Sequence, residues 1–392
     1  MGQRVARKLE PDNSSKTHQW RVSASRINTY SNWDIMDVDR SELERKIDYV
    51  MSNSIPLSAP GAVALVSYRN SVPFFRAYGS MEEYHFKFQN DTIFDLASLT
   101  KPLATSLLSL KLIDSCKLSL KDTVGELNLL NGFINIQKLT FESLLCHTSG
   151  MISDFPLYEK GRTREAYLSQ IEREAGHAEM YKKEVYSDLN YILLGFLIEE
   201  MYGKPLDVVW QEEIGSKLGL KNSGFNLQAM KDRIPPTEIT RERGVIWGDV
   251  HDENAYYLGG VAGHAGLFST AHDIDTILKA MMNGSIISKK TFQLAITNRN
   301  GYLGGIFGLG WMTKTQLGST KSDSFDFSGF FGDYSPYGSA GHTGFTGTSI
   351  CINTGLDLRC VLLSNRTFPS RGNTKNIRLR RLFHNAVFSS IH

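Results

Sequence analysis

Strand-like segments lie near both ends of this chain, and helical segments fill the middle. Two short apolar runs at residues 61–68 and 74–78 are separated by the turn-like Arg69 to Ser71, which predicts an antiparallel pair of strands. The strand pattern returns only after residue 301, at 307–313, 347–352 and 358–364. A sheet built from these runs must combine both ends of the chain, so the helical middle is predicted to be an insertion.

The remaining periodic segments predict helices. Apolar side chains recur three or four residues apart, first at 39–51, then in a strongly apolar helix from Ser98 to Leu112, and further on at 140–146, 163–175, 189–201, 206–218, 270–282 and 374–388, the last of them basic. The expected fold is of the α/β (α+β) class: an antiparallel β-sheet flanked by helices, with an inserted all-α region. We expect a polar N-terminal arm at 1–36, a sheet domain at 37–114 and 286–392, and an all-α domain at 115–285.

Composition excludes several classes of protein. The 392 residues include 43 Lys plus Arg and 41 Asp plus Glu, and a net charge of 43 − 41 = +2 argues against a nucleic-acid partner. The longest apolar run, 191–198, is far shorter than the roughly 20 residues that cross a bilayer, so no transmembrane segment is expected. The first 33 residues lack the apolar core of a secretory signal. The sequence as given therefore predicts a cytoplasmic protein, or a periplasmic or extracellular one if a leader was removed. The oligomeric state stays open.

The cysteines and histidines do not form a known metal motif. The four cysteines have spacings typical of neither a zinc site nor a CxxC redox pair, and reduced thiols are expected. Cys351 and Cys360 flank a predicted hairpin turn and could face each other, so a disulfide is the alternative there. His251 and His264 lie in a glycine-rich stretch without an HExxH arrangement, and no GK[ST] follows the glycines. Neither a metal nor a cofactor is expected.

Ser98 and Lys101 are candidates for catalysis. Three residues apart on a helix, the hydroxyl and the amine lie on the same face, at a helix start whose N–H groups favour a developing anion. Lys101 is the one charge in an apolar segment, so burial would lower its pKa and leave part of it neutral and basic. In the alternative interpretation, Ser98 only caps the helix and Lys101 is solvated.

Five segments together resemble the penicillin-recognising serine hydrolases, a family of serine β-lactamases, D-alanyl-D-alanine peptidases and related esterases. In chain order, the similar segments are 94–102 with Ser-x-x-Lys, 118–124, Leu144-Leu-Cys-His-Thr-Ser-Gly150, Tyr186-Ser-Asp-Leu-Asn-Tyr-Ile-Leu-Leu-Gly195 and His342-Thr-Gly344. The resemblance implies a β-lactamase/transpeptidase-like fold. It also implies that Ser98 is acylated, that Lys101 accepts its proton, and that Tyr186 relays a proton to the leaving group.

The third motif would supply the substrate-binding strand. The resemblance places His342, Thr343 and Gly344 on that strand, with the N–H groups of Ser98 and Phe345 forming an oxyanion hole.

Two residues depart from the family pattern. Asp188 stands where many members have asparagine, so the amide that would contact substrate or Lys101 becomes a carboxylate that could hold Lys101 charged. His342 stands where lysine is usual, and its mostly neutral side chain removes a fixed positive charge for a substrate carboxylate.

The sequence therefore predicts a serine hydrolase that forms an acyl-enzyme on a small amide or ester, with a D-alanyl-D-alanine-type peptide as the expected substrate. Carboxylesterase or weak β-lactamase activity at the same site is one alternative. A catalytically inactive, ligand-binding homologue is the other.

Overall fold

A seven-stranded antiparallel sheet is the centre of the fold. In the computed structural model, which describes residues 38–315 and 328–392, its strand order is β3-β2-β1-β12-β11-β10-β9. The strands are β1 (Gly61–Tyr68), β2 (Ser71–Met81), β3 (Phe86–Lys87), β4 (Phe94–Asp95), β5 (Gly224–Phe225), β6 (Glu238–Thr240), β7 (Gly244–Ile246), β8 (Leu267–Ser269), β9 (Met312–Thr313), β10 (Ala340–Thr343), β11 (Ser349–Asn353) and β12 (Leu358–Ser364). The predicted arm at 1–36 lies outside the described residues.

Pairing of β1 with β12 joins the two ends of the chain. The register runs from Ala62 opposite Ser364 to Tyr68 opposite Leu358. This pairing confirms the prediction of an antiparallel sheet assembled from sequence-distant halves.

Helices cover the sheet. They are α1 (Arg40–Ser54), α2 (Leu107–Asp114), α3 (Phe141–Leu145), α4 (Arg164–Gly176), α5 (Asp188–Tyr202), α6 (Leu206–Trp210), α7 (Ser216–Leu218), α8 (Glu253–Tyr257), α9 (Ala271–Asn283), α10 (Lys289–Ala295) and α11 (Asn376–Phe388). Ala64 and Val66 of β1 belong to one apolar cluster with residues of α1 and α11, whereas Val63 and Leu65 belong to another with residues of α9. Because both faces of β1 are covered, its sequence is continuously apolar rather than alternating.

The middle of the chain is less purely helical than predicted. Between 115 and 285 the structure adds four strands. Strands β5 and β8 form a three-stranded sheet with β4, and β6 and β7 form a separate hairpin. The predicted helix at 206–218 is α6 and α7 joined by a π-helical turn, Gln211–Gly215, and the predicted strand at 307–313 is reduced to β9. The predicted domain boundaries stay a prediction.

Cys351 and Cys360 are register partners across β11 and β12, and both thiols are free. Among the residues that the structure describes, no helix has both the length and the apolar character needed to cross a membrane.

Replacing Leu65 by alanine tests the doubly covered strand. Leu65 is 1% exposed, so the cavity left behind should lower the free energy of unfolding by about 2–5 kcal/mol in urea titration. Leu57→Ala makes the same chemical change at a side chain that is 61% exposed, and we expect an effect within about 0.5 kcal/mol. Equal losses in the two variants would contradict the packing described here.

Candidate active site

Ser98 lies in a tight turn between β4 and α2. The residue before it, Ala97, has a left-handed φ of 48°, and its N–H donates to Oδ1 of Asp95 at 2.8 Å. A 3₁₀ turn (Ala97–Leu99) and a π-helical segment (Lys101–Ser106) then lead into α2. This strained turn presents Ser98 to a cavity of about 480 Å³.

Lys101 is the centre of the hydrogen bonding around Ser98. Its side chain has no solvent exposure, and its ammonium nitrogen lies 2.9 Å from Oγ of Ser98, 2.7 Å from Oδ1 of Asp188 and 3.3 Å from the carbonyl oxygen of His264. The Tyr186 hydroxyl hydrogen-bonds with both Ser98 and Lys101. The structure thus brings together the serine, lysine and tyrosine that the sequence singled out. A solvated Lys101, the alternative interpretation, is wrong.

Lys101 is charged in the resting protein, whereas the sequence analysis expected it to be partly neutral. Burial by itself lowers the pKa of Lys101, but the nearby Asp188 carboxylate and Tyr186 oxygen oppose it more strongly, and the net pKa is raised. The expectation that Lys101 is partly neutral is therefore wrong for the resting protein, because Asp188 holds it charged.

Aromatic rings fix the position of Tyr186. Its ring centre lies 4.6 Å from that of His147, 5.7 Å from that of Phe307 and 6.0 Å from that of His342. Burial raises the pKa of Tyr186 above that of a free phenol although Lys101 opposes the shift, so the hydroxyl keeps its proton at neutral pH.

The third motif lies at the end of β10, and its residues have different environments. Thr343, Gly344 and Phe345 line the cavity together with Ser98. His342 is fully buried and does not line it; its Nδ1 lies 2.8 Å from the Thr343 carbonyl oxygen. Burial and the charge of Lys101 lower the pKa of His342 to about 3, so the side chain is neutral and supplies no positive charge.

Two arginines of the cavity wall were missed by the sequence analysis. Arg380 is only 8% exposed, donates from Nη2 to the carbonyls of Gly344 (2.6 Å) and Thr348 (2.8 Å), and leaves its buried Nε without a partner. Within the described ranges, neither Arg380 nor Arg366 has a carboxylate within ion-pair distance. Burial and the charge of Arg366 lower the pKa of Arg380 to about 9. For Arg380, the basic character of the last helix was the available signal in the sequence.

A second carboxylate lies beside Asp188. Asp252 lines the cavity, and its Oδ1 is 2.8 Å from Nε2 of His264. Burial raises the pKa of Asp252, but His264 and Lys101 lower it by more, so it stays ionised. Donor atoms of Asp188, Asp252 and His264 lie within 4.8 Å of one another, as metal ligands would. These atoms do not fit a cation, because the ammonium of Lys101 already engages Asp188 and the imidazole already engages Asp252.

The sequence is similar to known proteins over most of its length. A family model described as Beta-lactamase matches residues 54–385. A protein of Escherichia coli O157:H7 named "Putative D-alanyl-D-alanine carboxypeptidase" is 32% identical over 368 residues, covering 82% of each chain. A protein of the same name from Salmonella enteritidis PT4 is 31% identical over 395 residues, covering 88% of each chain.

Solved structures share the fold at lower identity. EstCE1, described as a hydrolase with promiscuous acyltransferase activity, is 20% identical with a TM-score of 0.67 and covers 89% of this chain and 99% of its own. The octameric penicillin-binding protein homologue from Pyrococcus abyssi is also 20% identical, with a TM-score of 0.63 and coverage of 83% of this chain and 73% of its own. The fold, the order of the motifs and the family match lead to one conclusion: this chain belongs to the beta-lactamase family of penicillin-recognising serine hydrolases.

Proposed function

We propose that this hydrolase acts through an acyl-enzyme on Ser98 and that its substrate is a D-alanyl-D-alanine-type peptide. The observation that supports the mechanism is the contact of the Ser98 hydroxyl with Lys101 and Tyr186 at the wall of a cavity large enough for a small ligand. Ser98 attacks the carbonyl carbon of the substrate, and the peptide bond to the leaving amine breaks.

The other residues have roles that follow from their positions. Tyr186 keeps its proton at neutral pH and contacts Ser98, so it is placed to protonate the leaving amine. The N–H groups of Ser98 and Phe345, two residues that line the same cavity, would stabilise the oxyanion.

Arg366 and Arg380 favour a substrate with a free carboxylate. They line the cavity on the side of Phe345 and have no acidic partner of their own among the described residues. Arg380 is buried without a carboxylate at ion-pair distance in the described part of the chain, and such a guanidinium favours binding of an anion. These arginines would supply the positive charge that His342 lacks, and the two relatives named as carboxypeptidases agree with a peptide carboxylate there.

A carboxylesterase is the second candidate. It is favoured by the neutral, buried His342, which provides no charge at a position where lysine is usual in the family. Turnover of p-nitrophenyl esters, D-alanyl-D-alanine peptides and nitrocefin, measured side by side, separates esterase, peptidase and weak β-lactamase activity. An inactive homologue would turn over none of them.

Ser98→Ala tests the nucleophile. Removing the hydroxyl should abolish turnover and covalent labelling by a fluorophosphonate, with thermal stability nearly unchanged because Ser98 is only half-buried. Intact-protein mass spectrometry measures the labelling, and Ser153→Ala, at another serine of the cavity wall, is the control. Retained labelling in Ser98→Ala would remove Ser98 from the mechanism.

Arg366→Gln tests the carboxylate site. The measurement is kcat/KM for a D-alanyl-D-alanine peptide relative to the same peptide with a C-terminal amide. Loss of a charge-assisted hydrogen bond of about 1.5–3 kcal/mol should lower this ratio by about 10- to 100-fold. The ratio of two substrates is insensitive to the amount of folded enzyme.

Arg378→Gln is the matched control, because it makes the same chemical change at an exposed position of α11 that does not line the cavity. An unchanged acid-to-amide ratio in Arg366→Gln would contradict a carboxylate at this wall.

A further inference from the structure

In the resting site Lys101 is protonated, so it cannot act as a base. An ammonium group has three hydrogens and no lone pair. Three oxygen atoms can accept hydrogen bonds from this group: Oγ of Ser98, Oδ1 of Asp188 and the carbonyl oxygen of His264 lie 2.9, 2.7 and 3.3 Å from the ammonium nitrogen. Lys101 must therefore lose a proton before it can take one from Ser98.

Asp188 is the nearest group that can take this proton. Its Oδ1 lies 2.7 Å from the ammonium nitrogen and has no other hydrogen-bond partner, and its side chain is 21% exposed. The Tyr186 hydroxyl already has its own hydrogen, and the His264 contact is a backbone carbonyl, which is a far weaker base than a carboxylate.

Charged and titratable groups from several elements face Lys101. Asp188 and Tyr186 lie at the start of α5, Asp252 and His264 on the segment between β7 and β8, His147 after α3, and His342 on β10. Burial lowers the pKa of both His147 and His342, so these two remain neutral. Asp252 is engaged by His264. Asp188 is therefore the carboxylate free to exchange a proton with Lys101.

We propose that Asp188 accepts the proton of Lys101 once substrate fills the cavity, and that the neutral Lys101 then takes the proton of Ser98. The inference rests on the proposed acyl-enzyme mechanism. Transfer converts an ion pair into a neutral pair without changing the net charge. Since water leaves the cavity when a substrate enters, the neutral pair becomes more favourable than two charges of low solvation.

The protons balance over acylation. First, an N–H bond of Lys101 breaks and an O–H bond of Asp188 forms. Next, the O–H bond of Ser98 breaks as the Ser98 oxygen bonds to the carbonyl carbon of the substrate, and the released proton restores the ammonium of Lys101. The leaving amine takes the proton of Tyr186, and the proton held on Asp188 returns to the Tyr186 oxygen by way of Lys101, which contacts both. Asp188 lines the cavity but exchanges its proton with Lys101 and not with the substrate, so its role in this step is that of a positioning residue.

The experiment measures the rate of Ser98 labelling by a fluorophosphonate from pH 5 to pH 10 in the wild type and in Asp188→Asn. In the wild type the proton moves inside the site, so the rate should be nearly independent of pH between 6 and 9. An amide cannot accept the proton, and without the carboxylate the pKa of the buried Lys101 falls. The Asp188→Asn rate should therefore rise with pH as Lys101 loses its proton to solvent, with a loss of about 10-fold or more at the acid end.

Two further variants complete the design. Asp188→Glu retains a carboxylate and should restore the flat profile. Glu213→Gln removes the same charge from another lysine–carboxylate contact, with Lys111 at 3.5 Å, and should leave the profile as in the wild type.

A profile of Asp188→Asn that superimposes on that of the wild type would overturn the proton transfer to Asp188 and leave the acyl-enzyme proposal intact. Absence of labelling in the wild type would instead overturn the acyl-enzyme proposal, and the transfer with it. Circular dichroism of each variant shows whether the fold is retained.

Discussion

The buried ammonium of Lys101 is the constraint on which the site depends. A charge with no solvent exposure is stable only where acceptors replace its water, and the acceptors come from three separate parts of the chain. Ser98 lies one turn before it, Asp188 at the first position of α5, and the His264 carbonyl in the glycine-rich segment before β8. Correct folding around Lys101 and assembly of the candidate active site are therefore the same event.

The large sheet is tied to the serine turn by short side chains. Thr346 and Thr348, which follow β10, donate hydrogen bonds to the carbonyls of Asp95 and Leu96 at 2.7 and 3.0 Å. Gly344 is required at this junction, since a Cβ would come within 2.1 Å of Oγ1 of Thr348 and 2.4 Å of the Leu96 oxygen. The sheet thereby sets the distance between the third motif and Ser98, and the helices set the distance from Lys101 to Asp188.

Local patterns in the sequence were enough to predict the apolar strand at 61–68 and the sheet assembled from both ends, whereas the convergence of Ser98, Lys101 and Tyr186 was implied by the resemblance to a family. Properties that depend on contacts between residues distant in sequence were harder to predict. The pKa direction of Lys101 follows from competition between burial and Asp188, which only the structure decides. Arg366 and Arg380 look like ordinary basic residues until the structure shows that, in the described ranges, both line the cavity and neither has a carboxylate at ion-pair distance. Short strands such as β9, with two residues, have too few side chains to show a period.

The distribution of charge in the cavity gives the proposed substrate a direction. Asp188 and Asp252 line the cavity next to Lys101 and His264, whereas Arg366 and Arg380 line it next to Phe345 and Gly344. The guanidinium groups attract a substrate carboxylate, whereas the cations beside Asp188 and Asp252 are already engaged by those carboxylates, so the proposed substrate is expected to place its carboxylate at the arginines. Under the proposed function, a peptide whose carboxylate contacts Arg366 and Arg380 would place its scissile bond between these arginines and Ser98. The pairing of Asp188 with Lys101 thus has two consequences: it holds the lysine charged, and it reduces the negative field that an anionic substrate meets near the nucleophile.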